Sequence, residues 1–199
     1  MTGNWNSTHR ASPHFRVLDF RVAAACARGM LTFQLHPSRT EILAARDRYL
    51  VNTAEMAREN KAFVAGDLIA AGDLDPQHLI PIIDWKSSRP KSRIEGNNPA
   101  DVIEALRIAR SAQRDRTAVA VLCGLRGVDV AMASAMLTAM NRERFTVIDW
   151  RALKALGVEK SWLTTDDYLE YLAYCRAKAI EYQISLRDLD RAWWQVGGQ

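Results

Sequence analysis

The sequence predicts an all-α fold, an array of eight to ten helices that form one domain over residues 15–199. Apolar residues recur at intervals of three and four along almost the whole chain, which is the period of a helix with one buried face. Serine, threonine, asparagine or aspartate stands immediately before most of these segments, where it can cap a helix N-terminus. The β-branched run at residues 117–122 has no evident partner strand, so we interpret it as helix as well.

The N-terminal half begins with a polar stretch, residues 1–14, which we expect to be a disordered tail. Ser38 and Glu41 match a capping box and predict the start of a long amphipathic helix that ends near Asn60. Gly72 follows a further helical segment and is the residue type preferred just beyond a helix C-terminus. The expected helices of this half span approximately residues 15–30, 38–60, 61–71 and 76–85.

The C-terminal half opens with the clearest loop of the chain, residues 87–98, which contains Pro90 and Gly96 and few apolar side chains. Asn98 and Pro99 then match the cap and the first position of a helix. The expected helices that follow span approximately residues 98–113, 117–122, 129–141, 149–156, 164–182 and 185–196.

Composition excludes several classes of protein. Of the 199 residues 48% are apolar and 25% are charged, which is incompatible with a disordered chain. The three cysteines lie far apart in the sequence, which argues against a disulfide framework and a local iron–sulfur ligand set. No apolar run approaches the roughly 20 residues of a membrane span, and the N-terminus lacks the apolar centre of a secretory signal. We therefore expect a cytoplasmic protein, and its net charge of +4 permits a nucleic-acid partner without requiring one.

Residues 122–156 carry the most specific pattern in the chain. Leu125, Gly127 and Val128 lie in a short turn between two helical segments, and the run Val147-Ile148-Asp149 begins another helix. The turn resembles the Leu-Pro-Gly-Val-Gly hairpin of the helix–hairpin–helix DNA glycosylases, the superfamily of endonuclease III and 8-oxoguanine glycosylase. The second run is similar to the element that holds the catalytic aspartate of that family. Asp149 lies 18 residues after position 131, where the lyase members place a lysine.

The resemblance implies a bilobal helical fold with a cleft at Asp149 and a helix–hairpin–helix motif that binds the DNA backbone. In that cleft Asp149 would stabilise the positive charge that develops on the sugar as a base is excised, and would orient water. The N–H groups of Gly127 and Val128 would bind a phosphate. The carbonyl groups of Cys123, Leu125 and Val128 would hold a monovalent cation when DNA is bound. The implied partner is double-stranded DNA with a damaged or modified base, bound by a monomer without an organic cofactor, an iron–sulfur cluster or a membrane.

Three positions depart from the family's pattern. Arg126 replaces the proline of the hairpin and would add a charged contact to phosphate, whereas Asp129 replaces the second glycine with a carboxylate. Ala131 occupies the position of the lyase lysine. A chain without an amine at that position cannot form a Schiff base there, so we expect a monofunctional glycosylase.

A basic segment, residues 84–93, is the second candidate site. Lys86, Arg89, Lys91 and Arg93 would neutralise phosphates of the duplex, together with Arg126 of the hairpin. Trp85 would stack on an extruded base. Lys86 has an alternative role as a displaced catalytic amine.

The sequence is also compatible with two other hypotheses about function. A non-catalytic DNA-binding protein would keep the hairpin and lack the chemistry, and Asp129 and Ala131 favour this reading. A helical adaptor for other proteins would have no nucleic-acid partner.

Overall fold

The structure, a computed structural model, describes residues 31–198, which form ten α-helices and no strand. The all-α prediction is therefore confirmed for this part of the chain. The tail at 1–14 and the helix at 15–30 lie outside the described residues. A 3-10 turn, Pro76–His78, precedes α3. The helices are α1 (Arg39–Leu50), α2 (Thr53–Ala71), α3 (Leu79–Lys86), α4 (Lys91–Glu95), α5 (Pro99–Ser111), α6 (Asp115–Cys123), α7 (Val130–Met140), α8 (Trp150–Ala155), α9 (Thr165–Tyr182) and α10 (Leu186–Gly197).

Several helix ends lie where the capping residues predicted them. Ser38 and Glu41 form the complete capping box at the start of α1. The side chain of Asn98 accepts a hydrogen bond from the Ala100 amide at 2.9 Å at the start of α5. Gly72 ends α2 with φ +110, a backbone conformation that glycine adopts without steric cost. These ends follow from local chemistry alone, which is why the sequence located them.

The prediction of one helix over residues 38–60 is wrong. The chain turns at Val51 and Asn52, and the Asn52 side chain caps a new helix by accepting a hydrogen bond from the Glu55 amide at 3.2 Å. The turn separates two packing partners, because α1 packs on α10 whereas α2 packs on α3 and α7. The segment 61–71, expected as a helix of its own, is the C-terminal part of α2.

The prediction that residues 87–98 are entirely loop is also wrong. The short helix α4 lies within this segment, and its single apolar side chain, Ile94, is buried in the core. One buried side chain therefore fixes the segment to the body of the protein despite its polar composition.

The helices pack around one continuous apolar core. Helix α7 is almost completely buried and packs on α2, α3 and α6, and Gly66 of α2 leaves the space that the backbone of Ala139 occupies. Helix α10 packs on α1, α8 and α9. The loop and helix residues between these two groups line a cleft. None of the described helices is long and apolar enough to cross a membrane.

Candidate functional site

The cleft has a volume of about 1000 Å³, and several of the residues that the sequence singled out line it, namely Trp85, Lys86, Arg89, Arg93, Gly127, Val128 and Asp149. One wall comes from the end of α3, the start of α4, the turn before α7 and the first residues of α7. The other wall comes from α8, α10 and the loop before α9. Asp149 and Lys86 both line it, although they belong to different walls. The fold thus brings together the aspartate element and the basic segment, which are far apart in the sequence.

Asp149 caps α8 and faces the cleft at the same time. Its backbone is extended, and its Oδ1 atom accepts a hydrogen bond from the Ala152 amide at 2.8 Å. Its Oδ2 atom lies 3.4 Å from Nζ of Lys86. The side chain is 16% exposed. The cap and the candidate catalytic role are therefore compatible, because each uses a different oxygen of the carboxylate.

Lys86 is the last residue of α3, and its ammonium group points into the cleft. Its Nζ atom donates a hydrogen bond to the carbonyl of Ile148 at 3.3 Å, in addition to the contact with Asp149. Only 12% of its side chain is exposed. This position suits an amine that acts on a bound sugar better than the role of an outer phosphate contact that the basic segment suggested.

The residues that precede Asp149 are fixed by buried side chains from three helices. The carbonyls of Thr146 and Val147 accept hydrogen bonds from two tyrosine hydroxyls, and the amides of Val147 and Ile148 donate to a carboxylate and to a serine hydroxyl. The four partners, in that order, are Tyr168 (3.0 Å), Tyr171 (3.2 Å), Asp190 (3.3 Å) and Ser134 (3.1 Å). Main-chain freedom at the entry to α8 is therefore small.

A buried cluster of charges lies behind this segment. Arg187 pairs with Glu59 at 2.5 Å and also with Asp190, and Arg191 pairs with Glu59. Burial raises the pKa of Glu59, but Arg187 and Arg191 outweigh it and lower the pKa to about 2. Burial raises the pKa of Asp190, against the opposing effect of Arg187. The cluster holds a carboxylate whose other contact is the Val147 amide, so it supports the position of Asp149 indirectly.

The turn between α6 and α7, residues 124–129, has a backbone conformation at position 127 that favours glycine. Gly127 has φ +81, and the Val128 amide donates to the Leu125 carbonyl at 3.2 Å. Asp129 caps α7 by accepting from the Met132 amide at 2.8 Å. The Val128 N–H is therefore engaged within the turn, whereas the Gly127 N–H makes no hydrogen bond with a described residue.

The turn is packed tightly against α4. A Cβ atom at Gly127 would lie 2.8 Å from Cβ of Arg93 and 3.2 Å from Cγ1 of Ile94. Asn97 joins the two elements, since its Oδ1 accepts from the Arg126 amide at 2.8 Å and its Nδ2 donates to the Arg126 carbonyl at 3.0 Å. The basic segment and the hairpin thus form one continuous surface. Nothing in the sequence indicated that Asn97 makes this connection, because its partner lies 29 residues away.

The predicted phosphate contacts separate into two groups. Arg89, Arg93 and Arg126 are exposed and form no ion pair with a described residue, and the first two line the cleft. Lys91 instead points away from the cleft and pairs with Asp84 at 3.0 Å. Lys91 is thus a poor candidate for a phosphate contact.

Trp85 is a partly buried wall residue. Its ring meets that of Phe63 edge to face with centroids 5.6 Å apart, and the Arg187 guanidinium lies 5.0 Å from its centroid. Trp85 lines the cleft, but the contacts with Phe63 and Arg187 fix its ring within the cleft wall. Two exposed tryptophans, Trp150 and Trp162, line the cleft as well, and sequence analysis did not assign them to the site.

The described residues contain no cluster of three or more histidine, cysteine or acidic side chains that could hold a metal ion. Burial and the charge of Asp129 raise the pKa of the Cys123 thiol to about 11, which makes it a poor nucleophile at neutral pH. Binding of a monovalent cation by the carbonyls of Cys123, Leu125 and Val128 stays a prediction. Comparison of the chain with models of protein families, with curated proteins and with solved structures found no match.

Proposed function

We propose that this protein is a DNA N-glycosylase whose reaction takes place at Asp149. The observation that carries the proposal is the position of this carboxylate in the cleft, with one oxygen committed to the α8 cap and the other beside Lys86. A cleft of about 1000 Å³ is large enough for a nucleotide extruded from a duplex.

The chemistry requires little more than a fixed negative charge. Cleavage of the bond between C1′ and the base leaves positive charge on the sugar, and a carboxylate below the ring lowers the energy of that state. Water then adds to C1′ and loses a proton, while the departing base gains one. Asp149 is suited to stabilise the charge on the sugar and to orient the water, because its position as the α8 cap fixes its backbone and its Oδ1 atom.

The surface beside the cleft is suited to a nucleic-acid backbone. Arg89, Arg93 and Arg126 supply positive charge that is not paired with a described residue, and the Gly127 N–H, which makes no hydrogen bond with a described residue, favours an anion. Asp129 opposes this, since its carboxylate lies at the same turn. Because Asn97 and Gly127 join α4 to the turn, Arg93 and Arg126 keep a fixed spacing relative to each other.

A panel of duplexes, each with one lesion, mismatch or modified base, tests the proposal. We expect alkali-sensitive strand breakage at one of these bases, reduced about 100- to 1000-fold in Asp149→Asn, where asparagine keeps the helix cap and removes the charge. Asp101→Asn, an exposed carboxylate in the first turn of α5 outside the cleft, is the matched control and should react as the wild type. Salt-dependent duplex binding without breakage at any base would support the non-catalytic DNA-binding protein instead. No duplex binding would support the adaptor.

A second reaction, strand cleavage by a lyase, is favoured by the 3.4 Å contact between Lys86 and Asp149. Lys86 would first lose a proton, and its neutral amine would then attack C1′ while the base leaves with a proton. Opening of the C1′–O4′ bond, with a proton taken up by O4′, would leave the sugar joined to Nζ as a Schiff base. Loss of a proton from C2′ would then expel the 3′ phosphate, and water would release the lysine. The alanine at position 131 predicts a monofunctional enzyme only if the catalytic amine has to come from the hairpin. Lys86 supplies an amine from α3 instead. Strand breakage without alkali separates the two reactions.

A further inference from the structure

Two large aromatic side chains stand open to solvent at the mouth of the cleft. Trp150 is 62% exposed and Trp162 is 83% exposed, and both line the cleft. Trp150 is the first residue of α8, and Trp162 lies in the loop before α9. A tryptophan this exposed loses the benefit of burial, so its position at the site needs an explanation.

The neighbourhood of Trp150 is held rigidly. The guanidinium of Arg151 lies 5.3 Å from the centroid of the Trp150 ring and 4.0 Å from that of Trp194. Gly197 of α10 packs directly on the backbone of Arg151, where a Cβ atom would come within 1.8 Å of its carbonyl oxygen. Trp150 is thus supported by an arginine of the same helix, whose backbone packs against α10.

We propose that Trp150 and Trp162 form an aromatic rim that stacks on unpaired nucleobases of a bound DNA strand. The proposal rests on the proposed function for the identity of the ligand and adds a preference to it. The protein would bind a strand whose bases are already unstacked, at a mismatch, a bulge or a single-stranded stretch, better than a perfect duplex.

Position and charge both favour this ligand over another protein. Trp150 directly follows Asp149, and consecutive Cα atoms are about 3.8 Å apart, so a sugar placed at Asp149 brings its own or the neighbouring base within reach of the indole. Arg89 and Arg93 lie on the opposite wall without ion pairs, where they face the phosphates of the same strand.

Stacking by the rim would compensate for the stacking that is lost when a nucleotide leaves the helix. A base stacked on an aromatic side chain contributes about 5- to 100-fold in affinity and does so for any base. A perfect duplex hides the faces of its bases, so it gains nothing from the rim. The selectivity therefore comes from base accessibility and not from sequence.

The experiment uses a 15-nucleotide single strand with one central 2-aminopurine, and the same strand in a perfect duplex. Stacking on tryptophan quenches 2-aminopurine, and anisotropy of a terminal dye gives the dissociation constant. We expect Trp150→Ala and Trp162→Ala each to weaken single-strand binding about 5- to 100-fold and to reduce quenching, with less than twofold change for the duplex. Phenylalanine at either position should restore most of the loss. Ile180→Ala removes an apolar side chain that is 79% exposed on α9 and outside the cleft, and should change neither value.

The proposal would be overturned if both alanine variants quenched 2-aminopurine and bound the single strand as the wild type does. Equal losses of affinity for the single strand and the duplex would also overturn it. A wild-type dimer that Trp162→Ala converts to monomer in sedimentation would also overturn it, because the rim would then be a contact between copies. The two proposals fail separately. Normal excision with unaltered single-strand binding in the alanine variants rejects the rim alone, whereas quenching without excision of any base rejects the reaction alone.

Discussion

The Nζ atom of Lys86 lies 3.4 Å from the Oδ2 atom of Asp149, across the floor of the cleft. Each group also has a backbone contact that fixes it, Lys86 with the Ile148 carbonyl and Asp149 with the Ala152 amide. An amine and a carboxylate held this way differ from a surface ion pair, because both are largely shielded from solvent.

Borohydride reduction tests whether Lys86 becomes bonded to the sugar. If the second reaction, the lyase, takes place, the wild type gives a stable protein–DNA adduct on a duplex that it cleaves, and Lys86→Arg gives none while it binds the duplex within about threefold. Arginine keeps the positive charge beside Asp149 and lacks the nucleophilic amine. An adduct that persists in Lys86→Arg would place the nucleophile elsewhere. The absence of an adduct in the wild type would leave hydrolysis as the reaction.

Two basic residues of the same short helix should differ in their contribution to DNA binding. Arg93 is exposed, lines the cleft and has no ion pair with a described residue, whereas Lys91 is paired with Asp84 outside the cleft. The slope of log affinity against log salt concentration is negative, and we expect Arg93→Ala to make it less steep by about 0.9, the value for one lost phosphate contact. Lys91→Ala should leave the slope unchanged. Equal slopes for the two variants would show that Arg93 makes no phosphate contact.

Gly127→Ala should damage the turn that joins α6 to α7. The residue has φ +81, and an added Cβ would lie 2.8 Å from Cβ of Arg93, so we expect the free energy of unfolding to fall by about 1–3 kcal/mol. Duplex binding should weaken as well, since α4 is displaced. Gly96→Ala is the control, because its φ is negative and its nearest contact is 3.4 Å. Chemical denaturation of both variants measures the difference, and an equal effect would argue against strain at the turn.

Glu59 should make a specific contribution to acid unfolding. Its pKa in the folded protein is lowered to about 2 from 4.5, so the stabilisation it provides is complete above pH 4.5 and is lost as the pH falls from 4.5 towards 2. The shift corresponds to about 3 kcal/mol. We expect Glu59→Gln to be destabilised by about 3 kcal/mol at pH 7, because Arg187 loses one of its two buried partners and Arg191 loses Glu59 as well. The variant should also lose less stability between pH 5 and pH 3 than the wild type. Denaturation curves at these pH values measure both effects, and an unchanged acid dependence would contradict the assignment.

Local features were predictable from the sequence, and long-range ones were not. The capping box at Ser38 and the glycine at position 72 depend only on neighbours within a helical turn, so their residue types identify them. The break at Asn52 was not predicted, although asparagine is a preferred capping residue. It coincides with the change of packing partner from α10 to α3 and α7.

The candidate site follows the same division. The sequence indicated Asp149 and Gly127 through their spacing, and the structure places both at the cleft. The sequence offered Lys86 as an alternative catalytic amine, but it did not indicate that Lys86 would contact Asp149 or that Asn97 would hold the turn. These contacts depend on how α3 packs on α7 and how α4 packs on the turn at Gly127, and no local pattern records that packing.

The stretch from Thr146 to Ile148 belongs to no helix, yet four buried side chains bind its main chain. The amide protons of Val147 and Ile148 should therefore exchange with deuterated solvent as slowly as those of the neighbouring core helices, and not at the rate of a surface loop. The Asp149 carboxylate that follows this rigid segment is therefore positioned when the polypeptide folds. Its main chain need not lose conformational entropy when a substrate binds.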